Sequence, residues 1–122
     1  MEKANHDLET AKLVFSHIPD FYYTICFHCQ QSVEKYFIAI LILLNIEFQK
    51  KHNLDYLLNL ISQIENVFTE IYNDAVKLDS FAINIRYPDI VIMPTKNEIE
   101  EAIEIAEKCK KFTLDIIKNN LV

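Results

Sequence analysis

The chain has 122 residues, a net charge of −6 and no glycine, with 51% hydrophobic and 25% charged residues. This length and composition predict one globular domain over residues 1–122. Phosphate-cradling loops, dinucleotide fingerprints and EF-hand loops need glycine, so none can be built here. The excess of acid argues against general electrostatic binding to nucleic acid. The chain has no glycine and only three prolines for the turns that connect the strands of a sheet, so we expect an all-α fold.

Cysteine content and hydropathy indicate the compartment. Three cysteines, an odd number, and the lack of a secretory leader fit a reducing environment better than a disulfide framework. The longest apolar run, Phe37–Leu44, is far shorter than a membrane span. We therefore expect a soluble, cytoplasmic protein with no membrane contact.

The first predicted helix covers residues 4–18 and ends before Pro19 and Asp20. The central helix, Phe21–Ile46, follows, with apolar residues recurring every three or four positions. Its second half, Tyr36–Leu44, is apolar almost all round, and such a helix must be covered on every side. A second copy of the chain could complete that cover.

Two shorter helices come next. Asn53 is a suitable N-cap for a helix over residues 54–66. Its apolar face is predicted to include Ile64. We expect a turn near Thr69–Asn73 and a fourth helix over residues 74–86.

An extended connection, Asp89–Met93, leads to the last helix. Thr95 with Glu98 three residues later predicts a capping box, and the helix should run to about Asn119. Its apolar stripe is predicted to include Ile103. Five helices joined by short connections describe an up-and-down bundle.

The last helix carries many glutamates and lysines. The spacing of Glu104 and Lys108, and of Glu107 and Lys111, favours pairs within one exposed helical face. We prefer this interpretation to a site of paired carboxylates.

Four short motifs resemble one family across the whole chain. They are Ala4-x-x-Asp7-Leu8-x-x-Ala11, Gln30-Gln31-Ser32-Val33-Glu34-Lys35, His52-Asn53-Leu54 and Arg86-Tyr87-Pro88-Asp89. In this order they resemble the HEPN domain (higher eukaryotes and prokaryotes nucleotide-binding). The resemblance implies a bundle of about five helices that forms a homodimer. It also implies a partnership with a minimal nucleotidyltransferase, often as a toxin–antitoxin pair, and a nucleotide or RNA as the ligand.

Many members of that family are metal-independent ribonucleases with an Arg-x(4–6)-His motif at the dimer cleft. This chain departs from the motif, because Arg86 is its only arginine and Val91, Ile92 and Met93 stand where the histidine would fall. A second departure is Ile38, where the family often has lysine. We therefore expect a non-catalytic module. The alternative is a ribonuclease with a non-standard site that brings Arg86 and His52 together.

The candidate nucleotide- or anion-binding residues come from these motifs. They are Arg86, Tyr87, Asp89, Gln31, Glu34, Lys35 and His52. Arg86 would contact a phosphate while Tyr87 stacks on a base, or it would form a structural ion pair with Asp89 or Glu34, which we favour.

The polar band inside the central helix is predicted to form the pairs Gln30–Glu34 and Gln31–Lys35. It would either hold the fourth helix and a second copy of the chain in register, which we favour, or line a ligand cleft. His52 is expected to cap a helix or contact a neighbouring one rather than act in catalysis.

A metal or redox site at Cys26 and Cys29 is the less favoured interpretation of that cysteine pair. The two cysteines are three residues apart on a buried stripe, which suits core packing. A zinc site needs four ligands, and Cys109 is the only further cysteine in the sequence. His6, His17 and His28 are expected to be solvated. We predict no metal and no cofactor.

Overall fold

The structure is a computed structural model that describes residues 1–51, 53–86 and 94–121, with the side chains of 82–86 excepted. These residues contain five helices and no strand, which confirms the predicted all-α bundle. The helices are α1 (Glu2–His17), α2 (Tyr22–Leu43), α3 (Leu54–Ile61), α4 (Thr69–Arg86) and α5 (Lys96–Asn119). None of the described helices is both long and apolar enough for a membrane span.

Helix α2 is the centre of the bundle and packs against all four other helices. Its buried side chains include the large residues Tyr36, Phe37, Ile40 and Leu41, and the Phe37 ring meets Phe112 of α5 edge-on. Helix α1 lies along one side of α2 and buries Ala4, Leu8 and Ala11, which recur at helical spacing. Small side chains allow two helices to approach closely, so polar groups along this contact come within reach of one another.

The C-terminal ends of α1 and α2 each have a local cause. Helix α1 stops at His17 because Ile18 precedes a proline and takes a non-helical conformation, with φ −137° and ψ 68°. Helix α2 stops at Leu43, three residues before the predicted end. Asn45 has φ 58°, the Asn45 N–H donates to Ile42 O (3.1 Å) and the Ile46 N–H donates to Leu41 O (2.9 Å). This is a Schellman motif in which asparagine takes the position usually held by glycine.

The predicted boundary between the third and fourth helices is wrong. Helix α3 ends at Ile61, which leaves Ile64 exposed, and α4 begins at Thr69, where a turn was expected. The buried residues of α4 start with Ile71 and continue with Ala75 and Leu78, a regular helical stripe. The core needs Ile71 as part of this helix, and that packing overrides the weak local signal for a turn.

The helix starts differ in how they are capped. Thr95 and Glu98 form the predicted capping box of α5, since each side chain accepts from the other residue's backbone N–H. At α3, Asn53 holds the N-cap position but its side chain makes no capping hydrogen bond. The Leu54 N–H donates instead to Asp79 Oδ2 of α4 (2.9 Å), so a neighbouring helix supplies the cap.

The buried stripe of α5 differs from the predicted one at one position. Ile105 is buried whereas Ile103 is only partly so. The remaining members of the stripe are as predicted.

Candidate functional site

Part of the predicted site lies outside the described residues. This holds for His52, Tyr87 and Asp89, and for the side chain of Arg86, although the backbone of Arg86 is the last residue of α4. The phosphate contact, the ion pair and the pairing with His52 therefore stay predictions. The described part of the site is the polar band of α2 and the face of α1 against it.

The polar band of α2 makes contacts both in the interior and toward α1. Gln31 Nε2 donates to Gln30 Oε1 (3.2 Å) and to Glu34 Oε2 (3.4 Å), and both Gln30 and Glu34 are buried. Lys35 turns away from Gln31 and donates to Asp7 of α1. The band thus faces two directions, with Gln30 and Glu34 in the interior and Lys35 toward α1.

Asp7 is the residue that joins α1 to this band. Its Oδ2 accepts from Lys35 and its Oδ1 lies 2.9 Å from His28 Nδ1. The Asp7 side chain is only 13% exposed, and His28 is 25% exposed, so the expectation of a solvated His28 is wrong. A neutral imidazole that donates from Nδ1 keeps Nε2 as an acceptor.

The sequence held a signal for this contact. Positions 28 and 35 are seven residues apart, two helical turns, and so lie on one face of α2. Asp7 stands in the first family motif but was not considered as a site residue. Because the pairing crosses between helices, its recognition required the register of α1 on α2.

Tyr36 adds a second polar contact between the same helices. Its hydroxyl donates to Asn5 Oδ1 of α1, and its ring is buried. Burial raises the pKa of Tyr36 to about 12, with smaller contributions from the charges of Glu107 and Glu9. We call the group of Asn5, Asp7, His28, Lys35 and Tyr36 the α1–α2 seam.

An open groove of about 400 Å³ adjoins this seam. The second half of α2 provides an apolar floor, Ile38, Ala39 and Ile42, and the first turn of α1 forms the opposite wall. Lys35 stands at the seam end, and Lys3 and Glu2 line the wall. A positively charged end beside an apolar floor suits a ligand with one anionic and one apolar part.

The three cysteines are free and buried, which confirms the prediction of core packing. Burial raises the pKa of Cys26 to about 11, with a smaller contribution from Glu98, and raises the pKa of Cys29 further. Burial also raises the pKa of Cys109 to about 12. Thiols held protonated in this way are poor nucleophiles. Within the described part of the chain, no three His, Cys, Asp or Glu side chains are grouped to hold a metal ion.

The charged face of α5 pairs with neighbouring helices. Lys108 Nζ lies 2.9 Å from Glu70 Oε1 and 3.4 Å from Asp74 Oδ2, both on α4. Glu101 of α5 pairs with Lys77 of α4. These contacts form what we call the α4–α5 seam.

Glu107 is paired in the same manner, with Lys12 of α1. Residues of opposite charge on α1 and α4 lie within reach of α5. The charged side chains of α5 pair with them rather than with the residue four positions away in α5.

Comparisons with known proteins agree with this architecture. The sequence model of the HEPN domain matches residues 1–117. The fold is similar to the crystal structure of an HEPN domain protein from Thermotoga maritima, with a TM-score of 0.77 and 26% identity over 96% of this chain and 95% of that one. It is also similar to an archaeal HEPN homologue, with a TM-score of 0.73 and 26% identity over 93% and 91% of the two chains. No curated protein matches the chain.

Proposed function

The chain belongs to the HEPN domain family, and from that premise we propose that it is a cytoplasmic, nucleotide- or nucleic-acid-associated module without ribonuclease activity. The observation that carries the proposal is the lone arginine. Arg86 ends α4, and Val91, Ile92 and Met93 occupy the positions of the family's catalytic histidine.

Incubation of the purified protein with total RNA, with and without a chelator, tests this proposal. We expect no cleavage above that of a buffer control. Cleavage that persists with chelator and is lost in Arg86→Ala and in a His52→Ala variant would establish the alternative, a ribonuclease with a non-standard site. Cleavage that both variants retain would indicate a contaminating nuclease, and repurification should then remove it.

We further propose that the module works with a minimal nucleotidyltransferase in a toxin–antitoxin pair, as the family resemblance implies. An acidic chain of net charge −6 is poorly suited to bind RNA unaided, which favours action through a partner protein. The reading frame beside the gene and the proteins that co-purify with the native chain provide the test. The partnership is refuted if neither reveals a nucleotidyltransferase.

A homodimer is the third part of the proposal, with the uncovered face of α2 as the contact. Although α2 touches four helices, Phe27 and Ile42 remain 48% and 67% exposed, and Tyr23 is 39% exposed one turn before Phe27. Exposed apolar residues along a central helix are typical of a surface that a partner covers.

Light scattering measures the oligomeric state. We expect a mass of twice 14.4 kDa for the native chain, and a shift toward the monomer in Phe27→Glu. Leu114→Glu, at an exposed apolar residue of α5, is the matched control and should leave the dimer intact. A mass of 14.4 kDa at every concentration would rule out the dimer.

A further inference from the structure

Helix α2 has an exposed aromatic ring near its start and an apolar groove near its end. Phe27 is 48% exposed, and the centroid of its ring lies 5.4 Å from that of His28, which Asp7 holds in place. The groove of about 400 Å³ includes Ile42, which is 67% exposed. Fifteen residues of helix, a rise of about 22 Å, keep the ring away from the groove of its own chain.

The exposed positions along this side of α2 are arranged symmetrically about one point. Steps of four, seven and four residues separate Phe27, Gln31, Ile38 and Ile42. These four positions lie within about 60° of one another around the helix axis. Two copies of α2 that pack antiparallel about the midpoint of this stripe therefore bring position 27 against position 42, and position 31 against position 38, twice each.

We propose that the homodimer is built on this symmetry, with the Phe27 ring of each subunit seated in the groove beside Ile42 of the other. This inference rests on the proposed function, in which α2 carries the dimer contact, and it specifies the register of that contact. One surface is sufficient for such an interface, because each subunit contributes both the ring and the groove that receives it. An aromatic side chain inserted into an apolar pocket is a typical anchor of a protein interface.

The chemistry of the groove suits an aromatic ring. Its floor is aliphatic, with Ile38, Ala39 and Ile42, and Ala39 is the smallest side chain of the three. Lys3 and Lys35 line its edge. An ammonium group is attracted to the face of an aromatic ring, so these lysines favour the ring rather than repel it.

The charge at the midpoint of the stripe is balanced within each chain. Lys35 lies beside the two-fold axis, so the two copies of this lysine approach each other, and two ammonium groups repel one another at such a place. The Asp7 carboxylate of the same subunit contacts Lys35. Each subunit therefore presents an ion pair to the axis rather than a lone lysine, and the α1–α2 seam reduces a repulsion at the centre of the interface.

A reciprocal charge substitution tests this register. Phe27→Lys and Ile42→Glu each place a charge in an apolar contact that occurs twice, so each should weaken dimerisation about a hundredfold or more. An equimolar mixture of the two variants should recover a mass of twice 14.4 kDa in light scattering, because the heterodimer has one native contact and one contact between opposite charges. The double variant Phe27→Lys/Ile42→Glu should dimerise for the same reason.

The matched control is Phe27→Lys/Leu114→Glu. It carries the same two introduced charges, but Leu114 is an exposed residue of α5 outside the stripe, so this variant should stay monomeric. Ala39→Phe fills the groove with no change of charge and should also prevent dimerisation. Circular dichroism verifies the fold of every variant, and the charge substitutions at two exposed positions keep the test valid if Ala39→Phe unfolds.

The outcomes separate the register from the proposed dimer. If the native chain is dimeric and both single variants are monomeric, a mixture that stays monomeric refutes the register and leaves the α2 contact. A native dimer that both single variants retain refutes the register together with that contact. A mass of 14.4 kDa for the native chain at every concentration overturns the dimer and this inference with it, while the RNA-cleavage assay still decides the non-catalytic proposal.

Discussion

The α1–α2 seam and the α4–α5 seam use the same chemistry in different surroundings. Each joins two helices through carboxylates and lysines. At the first, Asp7 is 13% exposed and contacts a lysine and a histidine side chain. At the second, Lys108 and Glu70 are 49% and 70% exposed, and only Asp74, at 15%, is nearly buried. Water screens the Lys108–Glu70 pair, whereas the Asp7 carboxylate lies in a medium of lower dielectric constant.

This difference in burial predicts a difference in energetic role. A carboxylate that is nearly buried must keep its partners, because the loss of one leaves a polar group without water or protein to replace it. It therefore fixes one register of α1 on α2. The Lys108–Glu70 pair of the α4–α5 seam can exchange with water, so the apolar contacts beneath it contribute more to the packing of those helices.

The largest effect is expected for Asp7→Ala. It removes the acceptor shared by His28 and Lys35 and leaves both donors at a closely packed contact between helices. We expect the free energy of unfolding to fall by about 2–4 kcal/mol. Urea denaturation followed by circular dichroism measures it.

Asp115→Ala provides the control for that substitution, since Asp115 is an exposed carboxylate on α5. Its unfolding midpoint should match that of the native chain. If Asp7→Ala and Asp115→Ala were equally stable, the α1–α2 seam would be no more important than an ordinary surface charge.

A smaller loss is expected for Tyr36→Phe. The ring stays buried and only the hydrogen bond to Asn5 disappears, so the stability should fall by about 1 kcal/mol at neutral pH. Because Asn5 is half-buried, water can reach its amide oxygen and limit the loss. A loss equal to that of Asp7→Ala would mean that the hydroxyl, not the carboxylate, holds the two helices together.

The pH dependence of this variant gives an independent test. The pKa of Tyr36 rises from 10.0 to about 12 in the folded chain. The folded state therefore keeps a proton that the unfolded state loses, and the resulting stability is present below pH 10.0 and disappears as the pH approaches 12. The stability of the native chain should decline more steeply with pH over this window than that of Tyr36→Phe. Parallel declines would contradict it.

What the sequence could predict follows from the range of each interaction. The capping box at Thr95 depends on four consecutive residues, and the structure contains it as expected. The cap on α3 could not be found in the same way, because its acceptor, Asp79, lies 25 residues later in the chain. The start of α4 was missed for a related reason, since Ile71 belongs to the helix through its contact with the core.

The candidate site shows the same division. Lys35 was selected from a local motif, but its partners were not, because the contact of Asp7 with His28 spans 21 residues and that with Lys35 spans 28. Helical spacing placed His28 and Lys35 on one face of α2. Only the register of α1 against that face shows which carboxylate meets them.

The smallest effect is expected at the α4–α5 seam, for Lys108→Ala. This lysine reaches Glu70 and Asp74, and the pKa of Lys108 is raised mainly by its hydrogen bond to Glu70. Glu70 is 70% exposed and gains water when the lysine is removed, and Asp74, which is 15% exposed, loses only the longer contact of 3.4 Å, so we expect a change in the unfolding midpoint well below that of Asp7→Ala. Any change seen at low salt should vanish at about 1 M salt, where the screening length is about 3 Å. The Asp7→Ala deficit should persist at that salt concentration, because the Asp7 carboxylate is only 13% exposed and ions reach it poorly. A deficit in Lys108→Ala that matched it and survived high salt would show that exposure does not separate the two seams.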